Sequence, residues 1–420
     1  MNFGGTQNKF FRFHFRQILT KPPVACPCRA AGTEINGVTM NIESLTASRL
    51  SQLTVIVFAL LLAPGISLAD EGHPIAIRRC SEKGIAIETM WGLSVAFGVD
   101  SGSEQAKEYD LLVDSLELSQ PMILRRSANN DEVKTVEKAT RGNDLTAQRS
   151  VSWGTVFADG VAVMVMHDMP TVDSLKHIKE TRELDSGVPS ALVALGDKFD
   201  AAACEKLIET FAPRLIVVNS DLEQVGDLKV KPIKHDTVAF SSSTGKTTQA
   251  LSLEAKPYEL SVDLRKLFAR KEKSQQATMD LFAELSVEQM NFEPPNGTHT
   301  PRWNAEHMMG RELLFFSQIY HALDPSIPVM DLNPKQMPKD YEFAHADWTG
   351  AEEAKQIQRV EDFTRRFAYL LDGVDMRKKA PGSRIWSIRT LLLQMERHYN
   401  QHSSNVRKKM ELEQWPDASQ

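Results

Sequence analysis

Cysteine is scarce: four in 420 residues. That excludes a disulfide-built scaffold, and no Cys-based zinc motif is present. Two of the four, Cys26 and Cys28, precede the segment read below as a signal, which leaves Cys80 and Cys204 free to pair outside a reducing compartment. Excess positive charge is also lacking. The formal net charge is −6, so a dedicated nucleic-acid binder is not expected and no nucleic-acid partner is assigned. No glycine fingerprint for a dinucleotide and no Ser-His-Asp elbow occur. Ser243-Thr-Gly-Lys-Thr247 ends like a phosphate-binding loop, but Phe240 stands where that motif needs glycine. The stretch reads instead as a flexible linker.

Long apolar runs are missing too. The longest, Leu53 to Leu62, is short for a membrane span. It follows Met40 and Arg49 and precedes Pro64, Gly65, Ser67 and Ala69, the order of a secretory signal with a cut after Ala69. Residues 1–39 read as a non-native or unstructured extension, with translation starting at Met40, and 40–69 as the signal peptide. Removing 1–69 takes away six basic and two acidic residues, leaving a net charge of −10. An exported protein, periplasmic or extracellular and without a stable membrane anchor after cleavage, is expected.

What is present is enough apolar sequence, 42%, for two cores. Residues 70–250 carry short β-rich runs: 84–87, 111–114, 161–166, 191–195 and 215–218. A helical pattern at 200–211 makes this an α/β or layered α+β domain. Ser241 to Gln249 marks a boundary, 251–257 a linker, and 413–420 a tail. Between them, 258–412 reads as four amphipathic helices: about 262–285, 301–322, from Thr349, and 384–410. Thr300-Pro301 opens the second, and Thr349 with Glu352 has capping-box spacing. The third carries the stripe Ile357, Val360, Phe363, Phe367, Leu370. Four such helices form a four-helix bundle by default.

The fourth helix continues its apolar stripe Ile388, Leu391, Leu392, Met395 through His398, Tyr399, His402 and Val406. Two imidazoles at i and i+4 share a face and can chelate one ion. His307 lies in line with Trp303, Gly310 and Leu314 on the second helix. A His-x-x-x-His pair arises about 0.3 times by chance in such a chain, so placement, not the pair, carries the argument. The first helix is polar in its middle, at Ser274 and Thr278, which a mid-bundle pocket would explain. A fourth protein ligand such as His299 or His345 would make the site structural and closed. Without one, positions stay open for water or a small-molecule substrate.

The stretches Thr300-Pro-Arg-Trp-Asn-Ala-Glu-His307 and Trp386 to His402 resemble the DinB/YfiT-like superfamily. The resemblance implies an up-down-down-up four-helix bundle over about 258–412, with a divalent ion, zinc or nickel, on His307, His398 and His402. It further implies thiol transfer as the first reaction class and homodimer formation through helix faces. Hydrolysis by activated water is the alternative, as is a non-catalytic binding or assembly module. Glu306, Glu396 and Arg397 sit beside the ligands as flanking or surface groups. No catalytic residue and no organic cofactor is assigned.

Residues 109–114 and 189–200, continuing to Pro213–Asn219, are similar to the metallo-β-lactamase-like superfamily, which implies an αββα sandwich. Its His-x-His-x-Asp-His stretch is replaced by Arg125 to Asp131, and Asn219 stands where its last metal-binding His is expected. Only His167-Asp168 matches a ligand position. A degenerate domain that binds no metal is therefore expected.

Overall fold

A computed structural model describes residues 73–90, 92–113, 122–126, 132–137, 144–149, 153–171, 173, 188–330 and 345–417. The signal, the preceding extension, residues 127–131 and the end of the tail lie outside the described residues, as does 331–344 of the long connection before Trp348.

The sheet half is two facing sheets. Five strands run in the order β15 (Thr237–Phe240), β1 (Ile75–Arg79), β2 (Ile85–Glu88), β3 (Ser94–Phe97) and β4 (Leu111–Leu112). Nine run in the order β14 (Lys231–Ile233), β16 (Gln249–Leu253), β11 (Leu215–Val218), β10 (Ser190–Ala194), β9 (Val161–Met166), β8 (Trp153–Ala158), β7 (Leu145–Arg149), β5 (Met122–Arg126) and β6 (Val133–Val136). From β9 to β14 the pairings are parallel; from β9 to β6 they are antiparallel. The short pair β12 (Gln224–Val225) and β13 (Leu228–Lys229) stands apart.

Alternation explains the apolar runs. Val163, Val165, Ala191, Val193 and Val217 face Ile75, Ile77, Ile85, Ile87, Val95 and Phe97 across the sandwich core. Their neighbours Met164, Met166, Leu192, Ile216 and Val218 face outward and pack on Cys204 and Leu207 of α1 (Ala201–Phe211). Strands covered on both faces read as unbroken hydrophobic stretches. Asp200 caps α1, its side chain accepting from the Ala203 amide. Cys80 and Cys204 are both free thiols.

The helical half holds α2 (Val262–Ala283), α3 (Val287–Met290), α4 (Pro301–Leu323), α5 (Gly350–Arg366) and α6 (Ile388–Met410), plus a 3-10 turn at Ala368–Leu371. Each of α2 and α4 packs on both α5 and α6. The caps fall where expected: Thr300 accepts from the Trp303 amide, and Thr349 and Glu352 form a reciprocal box. The fourth long helix begins at Ile388 rather than near Arg384, because Ser387 caps it with Thr390. The third ends at Arg366, so Leu370 lies in the 3-10 turn, while Ile357, Val360, Phe363 and Phe367 are buried as the stripe requires. Fully burying one such phenylalanine contributes about 1.5–3 kcal/mol. Gly350 lets α5 start against the end of α2, since a Cβ there would fall on the Phe282 carbonyl oxygen.

The two halves are in contact. Ala76 and Ala239, on the outer face of the five-stranded sheet, pack with Leu260, Phe316, Phe367 and Tyr369. The amide of Ala239, on edge strand β15, donates to the Tyr369 hydroxyl at 3.1 Å. The stretch read as a flexible linker begins as a tied turn. The Ser241 amide donates to Thr244 Oγ1, and Arg214 Nη1 donates to the carbonyls of Ser242 and Thr244. From Gln249 the chain re-enters the nine-stranded sheet as β16, parallel to β11.

Candidate metal centre

Helical spacing brings the three histidines together. His398 and His402 lie one turn apart on α6, and His307 lies on α4, which packs against it. Their potential ligand nitrogens all lie within 4.8 Å of one another. The ring centroids of His307 are 5.1 Å from both His398 and His402. His402 is buried and the other two are half-buried, so one side of the site reaches solvent.

His402 Nδ1 lies 2.6 Å from Asn304 Oδ1. An amide oxygen only accepts, so Nδ1 carries the proton and Nε2 presents its lone pair. Asn304 in turn donates through Nδ2 to the Thr300 carbonyl at 2.7 Å, which sets which way its amide points. His402 Nε2 is 3.1 Å from His398 Nε2. Bonds of about 2.0–2.1 Å to a tetrahedral ion place two nitrogens about 3.3 Å apart, and a cis pair around an octahedral ion about 3.0 Å. The His398–His402 pair therefore has the spacing of two ligands on one divalent ion. His398 Nδ1 and His307 Nδ1 are each buried with no hydrogen-bond partner.

Burial pushes His307 and His398 down to about 4 and His402 to about 3. The other imidazoles add to the effect at His307 and His402, and the Arg311 charge adds at His307 and His398. All three are thus neutral at pH 7, with lone pairs free for a metal.

No fourth protein ligand joins them among the described residues: the cluster is these three histidines. His299 stacks on Trp303 at 3.7 Å, and Trp303 stacks on His307 at 4.5 Å. His345 stacks on Trp348 at 3.8 Å. Glu396 pairs with Arg270 at 2.9 Å, Arg397 is exposed, and Glu306 is half-buried. In the sheet half, Asp168 pairs with Lys198 and the His167 ring lies 5.8 Å from Phe97. Asn219 exchanges hydrogen bonds with the Gly196 backbone and clamps two loops.

The polar middle of α2 is not a pocket. Thr278 Oγ1 and Ser403 Oγ are 2.7 Å apart, and Asn400 Nδ2 donates to Ser274 Oγ. These residues form a hydrogen-bonded seam with α6.

Three features escaped sequence reasoning. Asn304 is one; its position three residues before His307 was the available signal. A second is the fully buried ion pair of Lys271 Nζ and Glu312 Oε1, 2.7 Å apart. Gln275 Nε2 and the Tyr399 hydroxyl both donate to Glu312 Oε2. The third is Arg302, which donates to Asn291, Glu353 and the Trp348 carbonyl from a fully buried position.

Residues 271–404 match the sequence model of the DinB superfamily. The matched stretch contains all three histidines, so the helical half is DinB-like over that range. No curated protein and no solved structure matches the chain.

Proposed function

We propose that the helical half is a four-helix bundle of DinB type that binds one divalent ion, zinc or nickel, through His307, His398 and His402. The observation that carries this reading is the convergence of three neutral imidazoles within 4.8 Å, with Asn304 holding the tautomer of one of them. A bound ion supplies positive charge that favours the deprotonated form of a thiol or of water. Asn304 keeps His402 Nε2 turned inward, Trp303 walls one side of His307, and the half-buried rings leave a solvent side for a small molecule. A metal-dependent transferase acting on a thiol or another small nucleophile is the activity this arrangement supports best. Hydrolysis is the second reading.

The test is elemental analysis of the purified chain beside His402→Ala. About one divalent ion per chain, absent from the variant, is the expected outcome. No metal after reconstitution with zinc, nickel and manganese would make the histidines structural and the protein a binding or assembly module.

We also propose export with cleavage after Ala69, supported by the Leu53 to Leu62 run. An exported form whose first residue is Met1 or Met40 would contradict it. For the sheet half, the metallo-β-lactamase-like reading draws support from two facing sheets with α1 outside one of them. An experimental structure whose strand order cannot be superposed on that superfamily would reject it.

A further inference from the structure

A cavity of about 530 Å³ lies where the helical half meets the five-stranded sheet. None of the three histidines lines it. Its floor is the outer face of β1 and β2, where Ala76, Arg78 and Glu88 share one side of the sheet. Its roof is one face of α5, presenting Lys355, Arg359 and Arg366 at spacings of four and seven. Leu260, Tyr258 and Tyr369 supply apolar wall. The volume is that of a small-molecule pocket.

Six basic and three acidic side chains line it. Arg126 pairs with Asp110 and Arg365 with Glu272 outside the lining, which leaves Arg78, Lys355, Arg359 and Arg366 facing Glu88, Asp236 and Asp362. Arg366 already neutralises Glu88, at 2.5 Å. Asp236 accepts from its neighbour Thr237 through Oδ1. Arg78 is less well served. Its Nε is buried without a hydrogen-bond partner, and its Nη2 reaches only the Tyr109 hydroxyl at 3.2 Å and the exposed Glu108 at 3.7 Å. A guanidinium with a buried, unpartnered Nε, beside a cavity that other cations also line, is an arrangement that takes up a carboxylate or phosphate. The apolar wall gives such an anion an organic body to rest on.

We propose that this cavity binds a small organic anion, with a carboxylate or phosphomonoester head held by Arg78 and Arg359 and an apolar body against Leu260 and the two tyrosines. The site is independent of the histidine centre. Because its residues come from both halves, occupancy ties the sheet to the helices.

Isothermal titration of the full chain with phenyl phosphate, benzoate and phenol tests the idea, and the two anions distinguish the head groups. At least one anion is expected to bind tenfold or more tighter than phenol. Arg78→Gln and Arg359→Gln should each weaken it at least tenfold, and His402→Ala should leave it unchanged. Arg359 lies on a helix face, so Arg359→Gln keeps the test valid if Arg78→Gln fails to fold; thermal melts establish which variants are native. Neither anion exceeding phenol, binding unchanged in the folded arginine variants, or binding lost in His402→Ala would each overturn the proposal.

Discussion

Replacing Asn304 with alanine is expected to weaken metal binding by about 10–100-fold while leaving all three histidines in place. The contact at issue is the 2.6 Å hydrogen bond from His402 Nδ1 to Asn304 Oδ1, between residues 8% and 2% exposed. In the metal-free variant the His402 imidazole can move its proton to Nε2 and donate to His398, so little is lost. With metal on Nε2, the proton must sit on Nδ1, buried and facing no acceptor. An unsatisfied buried donor costs about 1–3 kcal/mol, and 1.4 kcal/mol is tenfold in affinity. The same range is typical when the outer partner of a histidine ligand is removed. Competition against a chromophoric chelator measures the affinity. Asn304→Asp is the control, since it keeps the acceptor and adds charge; it should bind at least as tightly as the wild type. Thermal melts of the metal-free variants account separately for the lost Asn304 to Thr300 bond. An alanine variant within twofold of wild type would refute the argument that Asn304 fixes the ligand tautomer.

Two further perturbations address the fold. Lys271→Met leaves Glu312 charged in a fully buried position; breaking such a pair costs about 3–5 kcal/mol, and adding Glu312→Gln should recover much of it, as urea unfolding would show. A single variant within 1 kcal/mol of wild type would be the contrary result. Burial holds His345 at about 4, below its ordinary 6.5, so between those values the unfolded chain binds the extra proton and stability falls as pH falls. This contributes a slope of at most about 1.4 kcal/mol per pH unit, which His345→Gln should remove; parallel stability curves from pH 6.5 to 4 would count against it.

The helical half was legible because its signals are local. Thr300, Thr349 and the stripe from Ile388 to Val406 each specify a helix start or an inward face within one or two turns. The histidine cluster followed from that periodicity. Contacts across the fold were not legible: Lys271 and Glu312 are 41 residues apart, and on sequence each reads as an ordinary solvated charge. The same holds for Arg366, which only the packing of α5 on the sheet brings to Glu88. In the sheet half the runs at β9 and β11 were read to the residue, because strands buried on both faces are continuously apolar. The weaker strands β5 to β7 mix Arg, Lys, Thr and Gln with the apolar positions, and pairing with a neighbour, not composition, makes them strands.

The buried ion pair and the histidine cluster are linked through α6. Tyr399 follows His398 directly, and its hydroxyl donates to Glu312 on α4, while Gln275 on α2 donates to both. A helix that turns about its axis would break these bonds inside a space with no water to replace them, and each broken partner is costly there. The network therefore opposes rotation of α6 relative to α2 and α4. His398 and His402 ride on that helix, and His307 rides on the α4 that carries Glu312. A metal site needs its ligands held to within a fraction of an ångström before the ion arrives. Apolar packing alone tolerates small slips between helices, whereas a four-member polar network accepts one register. On this argument Lys271, Gln275, Glu312 and Tyr399 position the ligands without touching the ion. A stability loss at Lys271 should then be accompanied by weaker metal binding even in molecules that remain folded.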